Sequence, residues 1–132
     1  MKKAFLIIAV ISLLLVGCTI SPSSSKDNNQ DVVKMPAQSY LGTWYTDEEK
    51  LDDLVIWEIT NETLKFSISI FRTVSFEATA KIEQDQIVWN DTDGIGTNGL
   101  IDFQGNSIEV IVEKSEFPYI LSGSRYEFKV RE

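Results

Sequence analysis

From Tyr40 to residue 132 apolar side chains recur at almost every second position, and this alternation constrains the fold more than any other feature of the chain. A period of two puts successive side chains on opposite faces of an extended strand, so that one face can be buried while the other stays wet. Val55, Trp57 and Ile59 alternate within 54–60. Leu64, Phe66, Ile68 and Ile70 alternate with Lys65, Ser67 and Ser69, and Val74, Phe76, Ala78, Ala80 and Ile82 with Ser75, Glu77, Thr79 and Lys81. Helical periodicity is hard to find. The breaks carry turn chemistry: Asn61-Glu62, Arg72-Thr73, Gln84-Asp85, the long stretch 90–98, Gly105-Asn106 and the run closed by Pro118. Strands are predicted near 43–46, 54–60, 64–71, 73–83, 87–90, 99–104, 107–114 and 120–131.

About eight strands joined by tight connections form an antiparallel meander, and an open meander leaves two exposed edges. Pairing the first strand with the last removes both. The expected fold is therefore all-β, a small up-and-down antiparallel β-barrel. A barrel of about eight strands is either filled by its own side chains or just wide enough for one small ligand. Strands of mostly six to ten residues are short for a deep cup, so a shallow or partly filled cavity is expected.

The residue inventory narrows the chemistry. Histidine is absent, and Cys18 is the only cysteine of the 132 residues. An internal disulfide, a Cys-based zinc or redox site and any Ser-His or Cys-His nucleophile are thereby excluded. Any catalysis would fall to carboxylates, Lys, Tyr or Ser alone, so the chain is read as a non-enzyme without a cofactor.

The N-terminal region reads differently. Met1-Lys2-Lys3 is a positive start, and residues 4–16 form an apolar run broken only by Ser12, shorter than the roughly twenty residues of a spanning helix. Leu15-Val16-Gly17-Cys18 follows directly and resembles the bacterial lipobox. The resemblance implies a lipoprotein: 1–17 is a signal peptide, and Cys18 becomes a diacylglyceryl-bearing N-terminus, palmitate being among the acyl chains. Two or three chains would make attachment effectively permanent. Residues 18–38, with Ser21-Pro22-Ser23-Ser24-Ser25 and Asn28-Asn29-Gln30, have the composition of a flexible tether, and 39–132 are left for the barrel. The expected location is the extracytoplasmic face of the cell membrane. Once Lys2 and Lys3 leave with the signal, the 20 acids face ten bases, a surface that repels nucleic acid and anionic lipid and keeps a tethered monomer in solution.

Tyr40-Leu41-Gly42-Thr43-Trp44-Tyr45 resembles the opening of the calycin group, the lipocalins and fatty-acid-binding proteins, where Gly-x-Trp begins the first strand. That resemblance implies a lipocalin-like barrel in which Gly42 allows a tight bend and Trp44 plugs the closed end. Ser124-Arg125-Tyr126 with Phe128 looks like the family's final strand, whose Arg packs over that Trp or meets an anionic head group. Arg131 competes for the role, because the end of a last strand antiparallel to the first lies beside Trp44.

A ligand cavity would be walled by the apolar faces, namely Trp57, Phe66, Ile68, Phe76, Trp89, Phe103 and Tyr126, with Arg125 able to hold a carboxylate. The same residues would serve equally as core. Asp91-Thr92-Asp93-Gly94 hints at a calcium loop, but the spacing is wrong for an EF-hand, and a solvated hairpin is the expectation, without a metal. The acidic stretch 47–53 is expected as an exposed loop over the open end, with a gate or a docking patch for a cationic partner as its functional version. Two readings follow: a surface lipoprotein binding a small hydrophobic or amphipathic ligand, or a protein-binding module of inhibitor or immunity type acting through its acidic loops.

Overall fold

In the computed structural model, residues 32–132 are described; the signal segment 1–17, Cys18 and the tether up to residue 31 lie outside them. Among the described residues, every regular element but one short 3-10 turn, Gln38–Tyr40, is a strand. The strands are β1 (Gly42–Tyr45), β2 (Asp53–Ile59), β3 (Thr63–Ile70), β4 (Val74–Glu83), β5 (Gln86–Asp91), β6 (Thr97–Phe103), β7 (Ile108–Ser115), β8 (Arg125–Phe128) and β9 (Val130–Arg131). All pairings are antiparallel, in the order β8-β7-β6-β5-β4-β3-β2-β1-β9.

Only Lys129 separates the two outermost strands of that order, so they are halves of one C-terminal strand and the sheet closes on itself. The first half pairs with β7, Ile108 opposite Phe128, and the second with β1, Trp44 opposite Arg131. At the seam Lys129 N–H donates to the Tyr45 carbonyl at 2.9 Å and Glu132 N–H to that of Thr43 at 3.2 Å. The expected small up-and-down barrel is the fold. It has nine strands instead of eight because the last is interrupted where it changes partner.

The inner face holds Trp44, Leu54, Ile56, Leu64, Phe66, Ile68, Phe76, Trp89, Ile101, Val110 and Phe128, all buried. β3 keeps the alternation read from the sequence, and β4 keeps it as far as Ala80, beyond which Ile82 is exposed where the strand runs out past the core. β2 does not. Its run Leu54-Val55-Ile56-Trp57 is apolar at both parities, and the inward set is Leu54 and Ile56, not Val55 and Trp57. A bulge between Ile56 and Glu58 places one extra residue, Trp57, between the pairs Ile56–Phe66 and Glu58–Lys65 and then returns Ile59 to the interior.

The last predicted strand, 120–131, is also shorter than expected. Residues 116–124 form a loop, turned by bonds from Ile120 N–H to the Phe117 carbonyl (3.2 Å) and from Ser124 N–H to that of Leu121 (3.1 Å), with Gly123 at φ +87°. Val33 and Met35, assigned by composition to the tether, pack against the core.

Candidate functional site

Because the strands run up and down, the connections alternate between two ends. One end, the strap end, receives the incoming chain and the turns 60–62, 84–85 and 104–106; the other, the loop end, carries 46–52, 71–73, 92–96 and 116–124.

The strap end is plugged. Trp44 Nε1 donates to the Tyr40 carbonyl at 2.9 Å, and the Tyr40 ring stacks on Trp44 (centroids 5.8 Å) and meets Phe103 edge-on (4.9 Å). Tyr40 Oη reaches the Gly105 carbonyl at 2.7 Å, and Gln38 Nε2 that of Ile59 at 2.7 Å. Of the two arginines that competed for Trp44, Arg131 lies over it, 5.2 Å from the ring, with Nη2 donating to the Leu41 carbonyl at 2.9 Å. Gly42 between them has φ +124°, a conformation open to glycine. Arg125 instead lies on the outer wall, paired with Glu109 at 3.1 Å, so it points away from the interior that was to offer it a carboxylate.

The expected cavity residues divide. Phe66, Ile68, Phe76 and Trp89 meet inside: Trp89 stacks on Phe76 (5.7 Å) and takes the edge of Phe66 (6.1 Å), and its Nε1 is satisfied by the Leu100 carbonyl at 3.0 Å. Phe103 and Tyr126 are half-buried at the margin of that core. Trp57 is 45% exposed on the outer wall, a consequence of the bulge. The barrel centre is thus occupied by its own aromatic rings.

The loop end is polar, acidic and apolar at once. In the β3–β4 turn Phe71 (φ 50°) and Arg72 (φ 51°) both take the left-handed conformation, with Thr73 N–H bonded to the Ile70 carbonyl at 3.0 Å. Such turns favour Asn-Gly, because a bulky side chain is strained there. The β1–β2 loop holds this turn in place. Asp52 Oδ1 accepts the Phe71 N–H at 2.7 Å, the Leu51 carbonyl accepts the Arg72 N–H at 3.1 Å, and the Arg72 guanidinium donates to the Lys50 carbonyl at 3.2 and 3.3 Å. Phe71 itself projects, 68% exposed. Burial and the neighbouring Asp52 push the Asp53 carboxyl up from its ordinary pKa, against the pull of Arg72.

The β5–β6 loop is shorter than expected, 92–96, and caps itself. Asp91 accepts the N–H groups of Ile95 and Thr97, each at 2.8 Å, and Asp93 Oδ2 that of Glu77 at 2.8 Å. Burial alone would raise the Asp91 pKa, but bonds from the N–H groups of Thr97, Ile95, Gly94 and Gly96 outweigh it and hold the carboxyl below its ordinary value. These oxygens are engaged by backbone donors, and no group of three or more acidic side chains able to hold a metal occurs among the described residues.

Across the rim, in 116–124, Ile120 is buried and anchors the loop, while its neighbours Tyr119 and Leu121 are 75% and 70% exposed and Phe117 meets Tyr119 edge-on at 5.6 Å. Sequence reasoning missed Phe71, Tyr119 and Leu121. The signal was present in each case: Phe71 is an apolar residue at a hairpin apex, and Tyr119-Ile120-Leu121 breaks the alternation just after Pro118. No family model, no curated protein and no solved structure matches this chain.

Proposed function

We propose that this chain is a lipid-anchored surface protein whose barrel is a protein-binding module rather than a carrier. The observation that carries this reading is the filled interior: Phe66, Phe76 and Trp89 occupy with their own rings the volume that a ligand would need. Phe71, Tyr119 and Leu121, about 70% exposed, project instead from loops at one end, beside the exposed acids Asp47, Glu48, Glu49 and Asp93, where a rigid scaffold presents them for recognition. Anchoring rests on the lipobox at Cys18, with the protein outside the membrane.

The carrier reading has one point in its favour, the Gly42, Trp44 and Arg131 arrangement, which matches what kinship with the calycins would lead one to expect. Titration with palmitate and with an apolar dye separates the two readings. A carrier at a ligand concentration about one hundred times Kd gains about 2.7 kcal/mol and melts several degrees higher. The module is expected to show no shift in melting temperature and no change in Trp fluorescence; a saturable shift returns the protein to the carriers. For the anchor, radiolabelled palmitate fed to a bacterium expressing the chain should label the wild type and not Cys18→Ala.

A further inference from the structure

We propose that the loop end is the docking surface for a cationic polypeptide bearing apolar side chains, an inference that rests on the protein-binding reading and names its partner class. Three independent observations converge on that end.

The first is Phe71. A phenyl group at φ 50° costs backbone energy that Asn or Gly would not incur, yet the ring is 68% exposed and contributes nothing to the core. Strain of this kind persists where the surroundings over-determine it. Here the Asp52 carboxylate, the Leu51 carbonyl and the Lys50 carbonyl hold the turn. The result is an aromatic ring projecting from a braced turn, and Phe is among the residue types enriched at protein interfaces.

The second is Tyr119 and Leu121, held out on either side of the buried Ile120. Their loop follows β7 and the Phe71 turn follows β3, so in the closed strand order the two apolar projections stand on opposite sides of the rim. Acidic loops fill the arcs between them: Asp47, Glu48 and Glu49 on one side and Asp93 on the other, all exposed.

The third is the contrast with the other end. The strap-end turns Asn61-Glu62, Gln84-Asp85 and Gly105-Asn106 carry no aromatic residue. There the segment Gln38–Tyr40 leads into β1 and is tied down by the bonds of Gln38 and Tyr40 to the Ile59 and Gly105 carbonyls. A rim of aromatic projections between carboxylates attracts Lys and Arg by charge and by cation–π contact, buries aliphatic side chains between them, and repels nucleic acid and anionic lipid.

The test uses the full chain in an uncharged detergent and, by fluorescence anisotropy, a labelled 15-residue peptide of Arg, Leu and Gly. The same peptide with Glu for Arg, an oligo-Lys peptide and zwitterionic vesicles serve as comparisons. The Arg/Leu peptide is expected to bind at least about tenfold tighter than the other probes. Phe71→Gly combined with Tyr119→Ser should weaken it about tenfold. Asp47→Asn, Glu48→Gln and Glu49→Gln together should weaken it and flatten its salt dependence, whereas the control set Glu62→Gln, Glu83→Gln and Asp85→Asn should leave it unchanged. Melting curves confirm that each variant is folded. Equal loss from both charge sets, indifference to the Phe71/Tyr119 pair, preference for vesicles or absence of peptide binding each overturns the surface assignment. The protein-binding reading fails separately, by the palmitate and dye titration.

Discussion

At the scale of single residues, two positions are fixed by backbone contacts rather than by side-chain packing. Gly99 lies on β6 against the backbone of β7, at the irregularity between Asn98 and Gly99; a Cβ there would run into the Ile111 carbonyl oxygen. Gly99→Ala must therefore push two paired strands apart, and it is expected to cost about 1–3 kcal/mol, read as a fall in the denaturant midpoint. Asp91 offers a pH signature. Its folded pKa lies below the unfolded value of about 3.9, so its contribution is fully present above that value and is lost as pH falls through the folded pKa. Asp91→Asn should lower stability at pH 7 by about 1–3 kcal/mol, and the gap to wild type should close as both are titrated well below about pH 4. A gap that stays constant to acid pH would mean that the carboxylate charge contributes nothing to the loop.

At the scale of elements, the β3–β4 turn sets stability against recognition. Phe71→Gly removes a left-handed non-glycine residue and should stabilise the fold by about 1 kcal/mol in thermal melts, while reducing binding at the loop end. A destabilised Phe71→Gly would show that the exposed ring makes a hidden contribution to folding. The strands were legible wherever one parity alone was apolar. In β3 the inward Leu64, Phe66, Ile68 and Ile70 face away from Lys65, Ser67 and Ser69, and the register could be read directly. In β2 both parities are apolar, so which face Trp57 took depended on a bulge that only cross-strand pairing specifies. The 116–124 loop was hidden for a similar reason: Ile120 is apolar and buried like a strand residue, but it is buried from a turn. The loop-end site escaped the sequence because its parts lie far apart along the chain, and only the closed strand order brings them to one rim.

At the scale of the molecule, closure depends on a few residues. β9 contributes just Val130 and Arg131, yet these supply the ladder to β1, the cation over Trp44 and the cap on the Leu41 carbonyl. Removal of residues 130–132 is expected to cost at least about 3 kcal/mol, the sum of about three lost hydrogen bonds and a cation–π contact. It should also raise the fluorescence quenching of Trp44 by acrylamide. A truncated chain that melts like the wild type would mean that β1 holds its place without its partner. That all-β closure was expected from the alternation, whereas the sequence left Arg125 and Arg131 in competition for Trp44, and only the register of the split last strand puts Arg131 there. The filled centre was less legible, since the aromatic residues that could wall a cup are the same ones that can fill it.

The interruption at Lys129 also makes closure the last step of assembly. β1 to β7 can assemble as a ladder of neighbouring hairpins, but its outer edges, β1 and β7, stay bare until β9 and β8 pair with them. A chain that lacks these two short strands displays two unpaired strand edges, each a template for another chain, so the clasp guards the molecule against edge-to-edge association.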